Sequence, residues 1–174
     1  PQFTLSAGMV GALEPEGGYL LSELAVETYA HAAKQLGATL LTNEPVIDWS
    51  SDDNGISVRT ASGTHTAAKL ILCAGAWSGD LLRLPDMQLT VTRQVLGWVQ
   101  PQRPELFQRG NFPVWNIDPN GDGDLTGIYY GFPMSGDPAE GDGLKLARHH
   151  PGTPIAPDAI TDERLPADED EIML

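Results

Sequence analysis

Between Leu89 and His150 the chain carries four runs of strand character, LTVTRQVLGWVQ, FPVWNI, GIYYGF and GLKLARHH, with only a loop or short helix at Gln102 to Gly110 between the first two. The segments that join them are rich in Gly, Asp and Pro, which turn a chain and stop a helix. Parallel strands need long crossovers, most often helical, so strands joined without helices pair antiparallel. The half from residue 85 to about 150 is therefore expected to be an antiparallel sheet.

The preceding half reads differently. Ser22 is a good N-cap, and Glu23 puts negative charge in the first turn of a helix. Ala25, Tyr29, Ala32, Ala33 and Leu36 follow at helical spacing, and Gly37 ends the pattern. The spacing predicts a helix over 22–36, followed by a short strand at ATLLT, an αβ unit. VIDW is a further strand, with Asp52, Asp53, Asn54 and Gly55 as a turn. ISVRT and GTHTA form a hairpin around Ala61, Ser62 and Gly63. In KLILCAGAW, the unbroken apolar run at 70–73 predicts a strand buried on both faces. It ends in Ala74, Gly75 and Ala76, small residues that let a ligand approach the backbone. A short helix over 76–84 would bury Trp77, Leu81 and Leu82. The expected fold class is thus α/β plus antiparallel β, with an αβ part at 22–84, a sheet at 85–155 and an acidic tail at 156–174.

The last strand run, LKLARHH, carries the most suggestive chemistry. Successive side chains of a strand point to opposite faces. Lys145, Ala147 and His149 then share one face, a cation and an imidazole on either side of a small residue. The space over Ala147 would suit a flat ligand. The same stretch also fits a half-exposed strand with its polar face in water.

Charge and motifs exclude several classes. The net charge of −14 argues against nucleic acid and against an anionic membrane surface as partners. Seven Asp or Glu residues and one Arg between Asp158 and Leu174 make a solvated end. The single cysteine, Cys73, leaves no internal disulfide and suits a reducing, cytoplasmic setting. No apolar run approaches the length of a membrane span. Asp118, Asn120, Asp122 and Gly123 begin like a calcium loop, but its twelfth position, which needs a bidentate Glu, holds Tyr129. That loop reads as a turn, the four histidines have no ligand spacing, and no metal is expected. G-x-G-x-x-G, a P-loop and G-x-S-x-G are all absent.

The ordered series GGYLLSE, GA-x-L-x-T-x-x-x-V, A-x-K-L-I-x-x-x-GAW, RQVLGW, YYGFP and LKL-x-x-HH resembles the sarcosine oxidase and N-methyltryptophan oxidase family. These are FAD-dependent amine oxidases of the D-amino-acid oxidase superfamily. The resemblance runs from about Glu14 to Glu163. It implies the second section of a FAD-binding Rossmann-like domain, followed by the antiparallel sheet of a substrate domain. Residues 1–21 would connect from an N-terminal part that carries the G-x-G-x-x-G unit and the arginine that grips the substrate carboxylate. The family's flavin-linking cysteine would also lie outside this chain, and Cys73 is not that residue. The chain is thus expected to be an internal piece that binds FAD poorly alone. The loop from Met134 to Gly143 is longer than the family pattern.

By the same resemblance, Val46 would meet the adenine end of FAD through its backbone, and Ala74, Gly75 and Trp77 would lie along the cofactor. Tyr130 would face the substrate. Lys145 would sit over the flavin and help O2 accept electrons, with His149 close by. The implied partners are a small amino acid and O2. A D-amino-acid oxidase, a dehydrogenase of the same superfamily and a cofactor-free binding module are the alternatives.

Overall fold

The computed structural model describes residues 2–53, 55–82, 88–119, 127–136, 141 and 143–172. The chain divides into two compact units, one of residues 1–22, 92–153 and 161–174, the other of residues 23–91 and 154–160.

Helix α1 spans Ser22–Gln35 and leads into the second of these units. It closes with a Schellman turn at Gly37, whose φ is +94°. The Gly37 amide donates to Lys34 O and the Ala38 amide to Ala33 O, both at 3.0 Å. The predicted apolar stripe exists, yet no residue of α1 is buried, and Tyr29 is 78% exposed. The strand expected at ATLLT does not form.

Strands β1 (Val46–Asp52), β2 (Gly55–Thr60) and β3 (Thr64–Ala67) make an antiparallel sheet in that order. Trp49 pairs with Val58, and Val58 with His65. The β2–β3 turn closes with the Thr60 amide donating to Gly63 O at 2.8 Å, as the hairpin reading expected.

The buried strand expected at 70–73 is corrected: these residues lie outside every strand, and Ile71 is 85% exposed. A strand needs a partner to take up its backbone donors and acceptors, and among the described residues no strand pairs with this segment. Gly75–Trp77 is a 3-10 turn, and α2 spans Ser78–Leu82. Leu81 and Leu82 are half-buried, but Trp77 is 48% exposed rather than buried. Its indole N–H donates to Asp158 Oδ1 at 2.9 Å, a polar bond that holds the ring at the surface.

In the first unit, β4 (Leu96–Val99), β5 (Trp115–Ile117), β6 (Ile128–Phe132) and β7 (Leu144–His149) form an antiparallel sheet ordered β4-β7-β6-β5. The long run at 89–100 forms a strand only over Leu96–Val99. Among the described residues both sheets are thus antiparallel and helices are few. The candidate calcium loop at 120–126 and most of the loop before Gly143 lie outside the described residues.

One face of the second sheet is packed. Tyr129 and Leu144 are buried on it. Gly131 is required there, because a Cβ would stand 2.8 Å from the Trp115 ring. Trp115 continues into a ring cluster with Phe3, at 5.0 Å between centroids, and Phe3 stacks on Phe112 at 5.3 Å.

The acidic end is not wholly solvated. Helix α3, Asp168–Ile172, packs beside β4 and β7, and a Cβ at Gly97 would collide with Ile172. Asp168 is 7% exposed and forms a bidentate pair with Arg93 at 2.6 and 2.9 Å. It also accepts from the Leu165 amide at 2.7 Å. These bonds, the Arg93 pair foremost, hold its carboxyl down at about 2. Among the described residues no helix is long and apolar enough to cross a membrane.

Candidate functional site

The other face of the β4-β7-β6-β5 sheet carries the cation expected from the sequence. Lys145 pairs with Trp98 on β4 and Phe132 on β6. Ala147 pairs with Leu96 and Tyr130, and His149 with Ile128. Directly paired residues point to the same side of a sheet. Lys145, Tyr130 and His149 therefore share one face, with Tyr130 placed between the other two along the strand direction.

The Lys145 ammonium lies 5.2 Å from the Trp98 ring centroid and 5.3 Å from that of Phe132. Tyr130 meets Phe132 edge-on at 6.1 Å, and Tyr19 meets it at 5.7 Å. Leu96, Trp98 and Ile128 are 47%, 42% and 40% exposed on this face, an apolar platform on the same side of the sheet as the cation. The open space imagined over Ala147 is corrected. With Leu96 and Tyr130 opposite it on the flanking strands, Ala147 is 2% exposed. Trp98, Phe132 and Tyr19 were not singled out from the sequence. Strand alternation would have put Trp98 and Phe132 on some face, but only the register puts them on this one.

The second group lies in the unit of residues 23–91 and 154–160. Val46 and Ala74 line one apolar cavity of about 220 Å³, with Trp49, Val58, Leu70 and Leu81. The Trp49 indole N–H donates to Leu81 O at 2.8 Å and braces α2 against β1. Small-molecule pockets usually hold roughly 300–1,000 Å³, so this one suits a single ring system rather than a dinucleotide. Gly75 and Trp77 follow Ala74 but do not line the cavity. Gly75 has φ +53°, with nothing within 4 Å of where a Cβ would stand. Near the entrance of β1, the Glu44 carboxylate accepts from the hydroxyls of Ser62 and Thr60. Those two bonds, Ser62 first, hold it below the usual carboxylate range.

Comparison with known proteins gives a consistent picture. The sequence model of the FAD dependent oxidoreductase (DAO) family matches residues 1–170. The chain is 36% identical over 167 residues to N-methyl-L-tryptophan oxidase of Escherichia coli (strain K12 / DH10B), across 95% of this chain and 41% of that protein. The same enzyme from Escherichia coli (strain SMS-3-5 / SECEC) matches at the same identity and coverage. The chain thus spans about two fifths of the length of these curated relatives. Among solved structures, the open form of NikD, an unusual amino acid oxidase essential for nikkomycin biosynthesis, superposes with a TM-score of 0.59. It is 25% identical, over 86% of this chain and 37% of NikD.

Proposed function

The chain belongs to the FAD dependent oxidoreductase (DAO) family, and from that premise we propose that it is part of an oxidase acting on the C–N bond of N-methyl or other small amino acids. O2 is the electron acceptor and hydrogen peroxide the product. The observation that carries this reading is the shared face of Lys145, Tyr130 and His149, with the ammonium beside an apolar platform.

Two features support a flavin at these residues. The platform of Leu96, Trp98 and Ile128 suits a planar ring, and the apolar cavity at Val46 and Ala74 suits the adenine end. Gly75, open and of positive φ, and the exposed Trp77 follow Ala74 in the chain and are proposed as further cofactor-binding residues. These groups belong to the second section of a Rossmann-like FAD-binding domain and to a substrate-domain sheet. Bound FAD would supply the redox chemistry: a hydride, one proton with two electrons, would leave the C–H of the neutral amine while the N–H proton is lost, giving an imine for hydrolysis, and the two electrons with two protons would then convert O2 to hydrogen peroxide.

The protein's own residues prepare that exchange. Lys145 stabilises the negative charge that builds on O2, an effect strongest where water is sparse. Its charge also disfavours protonation of a nearby substrate amine, and only the neutral amine gives up a hydride readily. Tyr130 and His149 shape the substrate side of the face. A dehydrogenase has no need of such a cation, which favours the oxidase reading.

The test is Lys145→Met in the FAD-loaded protein that carries this chain. Flavin reoxidation by O2 should slow by about 100-fold, while reduction by N-methyl-L-tryptophan or sarcosine changes only a few-fold. Equal loss in both half-reactions would remove the oxygen role.

A further inference from the structure

We infer that Trp98 and Phe132 are positioning residues that clamp the Lys145 ammonium without neutralising it. The inference rests on the role proposed for Lys145 and explains how that side chain is held. The three residues form one row across β4, β7 and β6, with Lys145 in the middle. Its ammonium is nearly equidistant from the two ring centroids, at 5.2 and 5.3 Å. Both lie within the range of a cation–π attraction.

The rings are themselves fixed. Phe132 has Tyr19 against it at 71° and Tyr130 at 84°. Trp98 has the backbone of Gly141 against its indole, where φ is +89° and a Cβ would collide with Nε1. The clamp is thus built from several elements rather than from one chance contact.

The choice of rings has an electrostatic reason. Three other cations of this unit are held by carboxylates: Arg93 by Asp168, Arg103 by Glu105 and Arg164 by Glu169. Among the described residues no carboxylate bridges Lys145. A carboxylate would fix the ammonium but cancel its field at the point where an anion must form. A ring quadrupole fixes it while adding no net charge. The positive charge stays available to reduced oxygen.

The experiment compares Trp98→Leu and Phe132→Leu with the ring-keeping Trp98→Phe and Phe132→Tyr, in the FAD-loaded protein. Phe132→Leu should slow flavin reoxidation by about tenfold with the reduction rate and its KM within about twofold, and Trp98→Leu, whose ring also belongs to the platform, should slow reoxidation several-fold more than reduction. The aromatic variants should restore reoxidation. In the Lys145→Met background neither leucine substitution should slow reoxidation further relative to reduction. A second readout needs no turnover: the Cε protons of Lys145 should be shifted upfield by the two ring currents, and each leucine variant should return them part of the way. Lysine signals at their ordinary position in the unaltered protein would overturn the clamp. So would leucine variants that reoxidise normally while Lys145→Met is slow. If Lys145→Met itself reoxidises normally, the oxygen role fails and the inference with it, even where the ring-current shift is present.

Discussion

Tyr129 is 1% exposed, and its hydroxyl has no hydrogen-bond partner among the described residues. The ring supports the sheet core and lies 5.2 Å from the Arg148 guanidinium. A buried hydroxyl without a partner keeps its desolvation cost with nothing to offset it. Tyr129→Phe should therefore leave stability unchanged or raise it by about 1 kcal/mol, whereas Tyr129→Ala should cost about 3–5 kcal/mol. Urea unfolding curves of the two variants check this, and a marked loss in Tyr129→Phe would reveal a partner for the hydroxyl. Tyr130, one residue on, points to the opposite face and carries the proposed contact to substrate. That contrast follows from strand alternation alone and was legible in GIYYGF. Which of the two tyrosines faces inward was not, because period-two patterning names two faces without saying which one the chain covers.

Strands β6 and β7 hold the proposed site between them, and their close approach depends on Gly131. A Cβ there would stand 2.6 Å from Lys145 O and 2.8 Å from the Trp115 ring. Gly131→Ala should cost about 1–3 kcal/mol through overpacking, read as a lower urea midpoint with an unchanged slope. It should also disturb the pairing of Phe132 with Lys145, so reoxidation should slow more than reduction. An alanine variant as stable as the parent would mean that the Trp115 ring has room to move. Helix α1 shows the opposite case. Its limits and its Schellman end were legible from Ser22, the apolar spacing and Gly37. Its burial was not: the stripe has the right period, and no residue of it is buried.

Arg93 and Asp168 lie 75 residues apart and tie the acidic end of the chain to the start of the second sheet. The folded Asp168 carboxyl is held at about 2, below its ordinary value of 3.8. A depressed value means that the unfolded chain takes up the proton first as pH falls. The pair's contribution is thus fully present above pH 3.8 and is lost as pH falls from there towards about 2. Thermal unfolding of the parent should weaken across that window, and Asp168→Asn should lack this component while being less stable at neutral pH. Equal acid sensitivity in both proteins would show that the pair is not linked to folding. From composition this segment reads as a solvated tail, since seven acidic residues among seventeen say nothing of one arginine far upstream. The same division runs through the whole protein. The residues alone were enough for the helix at 22–35, the hairpin at Thr60 to Thr64, the antiparallel character of the later strands and the family, because turn chemistry, periodicity and motif order are local properties of a chain. Strand order and register are not local. They put Trp98 and Phe132 on either side of Lys145, closed the space over Ala147 and left the apolar run at 70–73 without a partner. Each of those outcomes depends on which distant backbone is there to take up hydrogen bonds, and that is settled only when the chain is folded.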